Sequence, residues 1–172
     1  MKTNIDAVRP GVLICLLIML FGIGLGIGFG VNEDAFKDYI AQGIAAAPQL
    51  HDGNSAGKIW RYAQRAHFHA LGIAAFSLGL ILVVALSSLA ASLKKVTAVL
   101  ISLGGLYALA WFTMFLLSPS MGRDGAHEAL MTSVWIYLGV GSLTVGMLIL
   151  IANLAFGFGR ASNARAATAY AR

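Results

Sequence analysis

The chain has 172 residues, of which 59% are hydrophobic and only 11% charged, with a formal net charge of +5. A soluble domain carries about 25% charged residues, so this composition excludes a disordered protein, an ordinary water-soluble enzyme and a nucleic-acid module built on basic density. The hydrophobic excess and twenty glycines point to a membrane protein.

Four stretches contain no Asp, Glu, Lys or Arg: Gly11–Val31, Ala66–Leu93, Val96–Gly122 and Ala129–Gly159, of 21, 28, 27 and 31 residues. A helix needs about 20 apolar residues to cross a hydrocarbon core, so each stretch spans once and none can span twice. Backbone polar groups in lipid must be satisfied within the segment, which selects helices. Nothing alternates with the period of a membrane strand. The fold expected is therefore all-α, an integral membrane up-and-down four-helix bundle. Its spans are at about 11–31, 66–93, 96–118 and 129–159, between an amino end of residues 1–10 and a tail of residues 160–172 rich in Ala, Arg and Ser.

The first span is read as an uncleaved helix. Its apolar run from Val12 to Val31 exceeds a signal-peptide core of about 7–15 residues, and no small-x-small site opens the loop that follows. Glycines at 22, 24, 26, 28 and 30 alternate there with Ile, Leu and Phe. At i,i+4 spacing they make two bare rows, Gly22-Gly26-Gly30 and Gly24-Gly28, which predict close contact with two neighbours or room for a flat ligand such as haem, quinone or an acyl chain.

After the first span, Asn32 is an N-cap candidate, Glu33 and Asp34 suit a helix first turn, and Pro48 ends the pattern. Phe36, Tyr39, Ile40, Ile44 and Ala47 recur at helical spacing, so a short amphipathic helix is expected on the outer surface of the bilayer or over the end of the bundle. A partner-docking helix has the same pattern. Residues 50–55 then form a turn, with Asn54 or Ser55 capping the next helix.

Orientation follows from the positive-inside rule. The amino end, the 2–3 turn with Lys94 and Lys95, and the tail together sum to +6; the 32–65 loop is neutral and the loop around Arg123 is −1. Both termini are thus expected on the cytoplasmic side of the inner membrane. The high pI is a topology signal and calls for no nucleic-acid partner. Cys15 is the only cysteine, so no disulfide forms within the chain.

All four histidines, His51, His67, His69 and His127, fall at the expected outer side, as do Arg65, Asp124 and Glu128. His67 and His69 lie roughly 200° apart around a helix and cannot chelate one ion together. His67 shares a row with Ala63, Ala70, Ala74, Ser77 and Ala85 and is the inward candidate. His69 shares one with Ile73, Phe76, Leu80 and Val83, which look lipid-facing, and is expected at the headgroup level near Arg65. On the fourth span Glu128, Thr132, Gly139, Ser142, Gly146 and Asn153 form the inward row, with Asp124 at i,i+4 from Glu128 and His127 about 100° off it.

Three readings of this corner compete. A b-type haem would sit between His67 or His69 and His127, on spans two and four as diagonal neighbours of a square bundle. It would exchange electrons with quinol or an outer cytochrome. A transition-metal site would use His67, His127 and Glu128, with Asp124 or His51. An ion-pair network with Arg61, Arg65 or Arg123 would pin the helix ends. No catalytic residues assemble from the sequence. The expectation is an accessory or electron-transfer subunit of a larger membrane complex acting at the outer leaflet; the alternative is a self-contained b-haem or metal protein.

Overall fold

The computed structural model describes residues 5–161. Its helices are α1 (Ile5–Ala46), α2 (Ser55–Leu86), α3 (Ala91–Leu103), α4 (Tyr107–Glu128) and α5 (Leu130–Phe156), with 3-10 turns at Pro48–Leu50 and Gly104–Leu106. α3, the second turn and α4 form one span, so four helical units are long and apolar enough to cross a membrane. The protein is an all-α four-helix bundle. Lys2, Arg165 and Arg172, and most of the expected tail, lie outside the described residues.

α1 contains both the first span and the surface helix. At Asn32 (φ −150°, ψ 60°) the backbone leaves helical geometry, and its Oδ1 accepts the Ala35 N–H at 3.3 Å. That cap starts a distal arm, residues 33–46. The arm caps the bundle: Ile40 is 2% exposed, the Tyr39 hydroxyl donates to the Leu116 carbonyl at 2.6 Å, and Gly43 rests on Pro119. Pro119 lacks an N–H, and Gly122, at φ +75°, breaks the α4 ladder three residues on. The Pro119 carbonyl is satisfied instead by His51, whose Nε2 donates to it at 3.1 Å.

The next turn is capped differently from expectation. Asn54 makes no side-chain capping bond. Asp52 does the work: its Oδ1 accepts from the Asn54 N–H and the Ser55 hydroxyl, each at 2.9 Å, and the Ser55 Oγ accepts the Asp52 N–H at 2.9 Å.

Helix neighbours are not those of a square. α1 packs along α2 and α3, α2 packs on α4 and α3, and α5 lies against the third span alone. Small residues decide this, because association in lipid depends on how closely backbones can approach. A Cβ on Gly11 would lie 2.6 Å from the Ala98 carbonyl oxygen, and one on Gly139 would lie 2.6 Å from the Tyr107 nitrogen. The third span is not one regular helix either. It tightens into the 3-10 turn where Gly104 meets Leu143 of α5 and Gly105 meets Ile18 of α1.

At the end opposite the 32–65 loop, the 2–3 turn falls at residues 87–90, so Lys94 and Lys95 lie within α3 rather than in the turn. Lys94 is 5% exposed and its Nζ donates to the Ala85 carbonyl at 2.6 Å. A cation is favoured at that carboxyl end of α2. Gly157, at φ +70°, ends α5 with a left-handed cap. The chain then clasps the 2–3 turn: the Ala90 N–H donates to the Gly159 carbonyl at 2.9 Å and the Ala161 N–H to the Ser88 carbonyl at 3.1 Å. Buried Asn153 supports the clasp by donating to the Phe158 carbonyl at 2.6 Å.

Candidate functional site

The richest cluster of chemistry lies between α2 and α4 at the loop-bearing end. Lys58, Arg61, Tyr62, Arg65 and His69 are spaced by three and four residues, so they share one face of α2. α4 answers with Tyr107, Trp111 and, beyond the Gly122 break, Arg123. Lys58, Arg61, Tyr62, Arg65 and Arg123 line a pocket of about 260 Å³. The Arg123 Nε donates to the Tyr62 hydroxyl at 3.3 Å. The Arg65 guanidinium lies 4.7 Å from the centroid of the Trp111 ring, a cation–π contact worth about 0.5–1 kcal/mol where exposed.

His69 continues this face one turn further along α2. Its ring lies 5.3 Å from Tyr107 and 5.6 Å from Trp111, centroid to centroid, and its Nδ1 donates to the Arg65 carbonyl at 2.8 Å. It is half-buried against α4, not turned to lipid as its row suggested. Near this end α2 is gripped by α1 on one side and α4 on the other, so two of its faces are in use.

His67 does point inward, toward α1. Its Nδ1 donates to the Gly22 carbonyl at 2.8 Å, and its ring occupies the space a side chain at Gly26 would need. The expected close contact at Gly22 and Gly26 is thus made by α2. Gly28 faces Phe36 of the distal arm, while Gly24 and Gly30 have no atom within 4 Å of a built Cβ among the described residues.

His127, Asp124 and Glu128 are exposed. His127 and Glu128 border a cleft of about 520 Å³ with Ser133, Ile136 and Tyr137. Glu128 is therefore not on the interior row of the fourth span. α4 ends at Glu128 and α5 begins at Leu130, with Ala129 non-helical between them (ψ 135°), so the row's phase does not extend across the junction. Thr132, Gly139, Gly146 and Asn153 on α5 are buried as expected.

The diagonal arrangement needed for a haem between His67 and His127 is not formed, because His67 faces α1 and α5 makes no face with α1 or α2. No group of three His, Cys, Asp or Glu side chains is placed to hold a metal among the described residues. The ion-pair network is also not formed: the two salt bridges among those residues are Lys37–Glu33 at 2.7 Å and Lys58–Asp52 at 3.1 Å. Arg61, Arg65 and Arg123 take part in neither. The face that does assemble was visible as the spacing of Lys58, Arg61, Arg65 and His69; it is missed when charges serve only to delimit spans.

Asp52 lies in the loop before α2. Lys58, then the Ser55 hydroxyl and the Asn54 N–H, hold its carboxyl down from the ordinary 3.8 to about 2. A depressed carboxyl stabilises the turn at all pH above the unfolded value, and that contribution is lost as pH falls through about 2. A carbonyl-carbon NMR titration should therefore place Asp52 near 2, and Lys58→Met should move it up toward the usual carboxylate range. An unshifted Asp52 in the intact protein contradicts the cap.

No known protein family matches the chain, and comparison with curated sequences and with solved structures gives no match.

Proposed function

We propose that the protein is an accessory subunit of a larger membrane assembly. In this reading it lies in the inner membrane with both termini cytoplasmic and its loop-bearing end at the periplasmic surface. The orientation rests on the +6 sum of the terminal and 2–3 segments against the neutral 32–65 loop. The assembly reading is carried by the contrast within α1. Gly22 and Gly26 are in tight contact with α2, whereas Gly24 and Gly30 have nothing within 4 Å of a built Cβ among the described residues. Glycine costs about 1 kcal/mol against alanine in a helix interior, and contact with another chain would offset that cost at these two open positions.

Solubilisation in mild detergent followed by native mass spectrometry tests this. The expected species is heavier than the 18.1 kDa chain and falls to the monomer in a Gly24→Leu/Gly30→Leu variant whose circular dichroism is unchanged. A wild-type protein that is stable and monomeric sinks the proposal.

A further inference from the structure

The pocket between α2 and α4 holds more positive charge than the surrounding chain neutralises. Lys58, Arg61, Arg65 and Arg123 converge around Tyr62. Among the described residues the only carboxylate within 4.0 Å of any of them is Asp52, on Lys58. Asp124 follows Arg123 in sequence but is exposed and forms no ion pair with a described residue. Like charges repel, and more strongly where protein partly displaces water. The three guanidinium groups gathered here without a carboxylate partner are therefore stabilised by an anion among them.

The groups at this pocket are donors. Guanidinium and ammonium groups carry no acceptor. The Tyr62 oxygen accepts from Arg123 and so has its own proton to give. The complement is an anion that only accepts, with enough oxygens and charge for several planar forks; phosphate fits this better than a single carboxylate.

We infer that the Lys58–Arg61–Arg65–Arg123 pocket binds the phosphate of an anionic lipid head group. Its position selects the source. Arg65 is the last charged residue of α2 before the charge-free run that starts at Ala66. Trp60, Tyr62 and Trp111 at the same level are the aromatic types that mark a bilayer interface. Lys and Arg side chains gathered near a bilayer surface attract anionic head groups by charge. Free phosphate is the competing source of the same chemistry. The inference needs no partner chain and stands apart from the assembly reading.

The test titrates the full-length protein in neutral detergent with phosphatidylglycerol, phosphatidylcholine or inorganic phosphate, counting bound molecules by native mass spectrometry. Phosphatidylglycerol should bind at least about tenfold more tightly than phosphatidylcholine. Arg61→Gln/Arg65→Gln/Arg123→Gln should weaken it by about fivefold per guanidinium, roughly a hundredfold in all. The corresponding triple lysine variant, which keeps the charge, should lose far less, and this separates binding from misfolding. Equal binding of the two lipids, or an undiminished affinity in a glutamine variant that melts like wild type, overturns the inference. Binding of inorganic phosphate with the same variant dependence, without selectivity for phosphatidylglycerol, overturns the lipid source.

Discussion

Gly139→Val should loosen α5 from the rest of the bundle, while Gly141→Ala, two residues away, should leave it as firm as before or firmer. A Cβ at position 139 would lie 2.6 Å from the Tyr107 backbone nitrogen and 3.1 Å from its Cα. Those are main-chain atoms, so no rotamer change makes room; the helices must separate. The same holds one row on, where a Cβ at Gly146 would lie 3.0 Å from the Ile101 nitrogen. Since α5 packs only on the third span among the described helices, no other described helix face holds it. What remains is the clasp of residues 157–161 on the 2–3 turn. Overpacking a well-packed site costs about 1–3 kcal/mol, and valine gains only part of the roughly 1 kcal/mol by which alanine surpasses glycine in a helix. A net loss of about 2 kcal/mol is expected. At Gly141 nothing among the described residues lies within 4 Å of a built Cβ, so alanine there keeps its propensity gain. Reversible unfolding in mixed micelles, followed by tryptophan fluorescence, measures both. If the two substitutions have equal effects, the packing of α5 described here is wrong.

The same asymmetry explains what was legible beforehand. Charge-free runs mark membrane helices because a charge in hydrocarbon is costly, and all four spans were visible from them. The distal arm was visible too, since outside the apolar spans Asn32 and the 36-39-40-44 spacing stand out against polar neighbours. The order of helices was not. Within a span, lipid-facing and interior residues are equally apolar, so Ile, Leu and Phe carry no direction. Only small residues do, and they name a face without naming its partner. The spacing of Gly139 and Gly146 points them to the interior, where they lie, but nothing in it says that Tyr107 and Ile101 lie opposite. Glu128 was misplaced for a different reason. Extending a helical row backward assumes an unbroken helix, and the extended backbone at Ala129 resets the phase. His69 lies beside Arg65 as expected, but its contact with α4 does not show in a row whose deeper members, Phe76 and Val83, are exposed.

Gly26→Ala should destabilise the wild-type protein but stabilise a His67→Ala background, a reversal of sign that no purely local effect of alanine produces. In the wild type, a Cβ at 26 would lie 2.6 Å from the His67 Cε1 and 3.1 Å from its Nδ1. The ring is held in place by the bond from Nδ1 to the Gly22 carbonyl at 2.8 Å, and it packs edge-on to Phe29 with centroids 6.1 Å apart. To admit the methyl group, the imidazole must swing away and give up that bond, or α1 and α2 must part. The lost hydrogen bond costs about 0.5–1.5 kcal/mol and residual crowding about 1–3 kcal/mol. Together they exceed the gain of about 1 kcal/mol from replacing glycine in a helix. A net loss of about 1–2 kcal/mol follows. Removing the ring first deletes the clash and the bond together. Alanine at 26 then fills part of the vacated space and keeps its propensity gain, and the coupling energy between the two sites should reach about 1–3 kcal/mol. The cycle is read from unfolding midpoints of the four proteins under one set of conditions. Additive effects would mean that His67 does not rest on Gly26, and the ring would then have to be placed elsewhere. Strong coupling identifies the first glycine row as the seat of a histidine that locks α1 to α2.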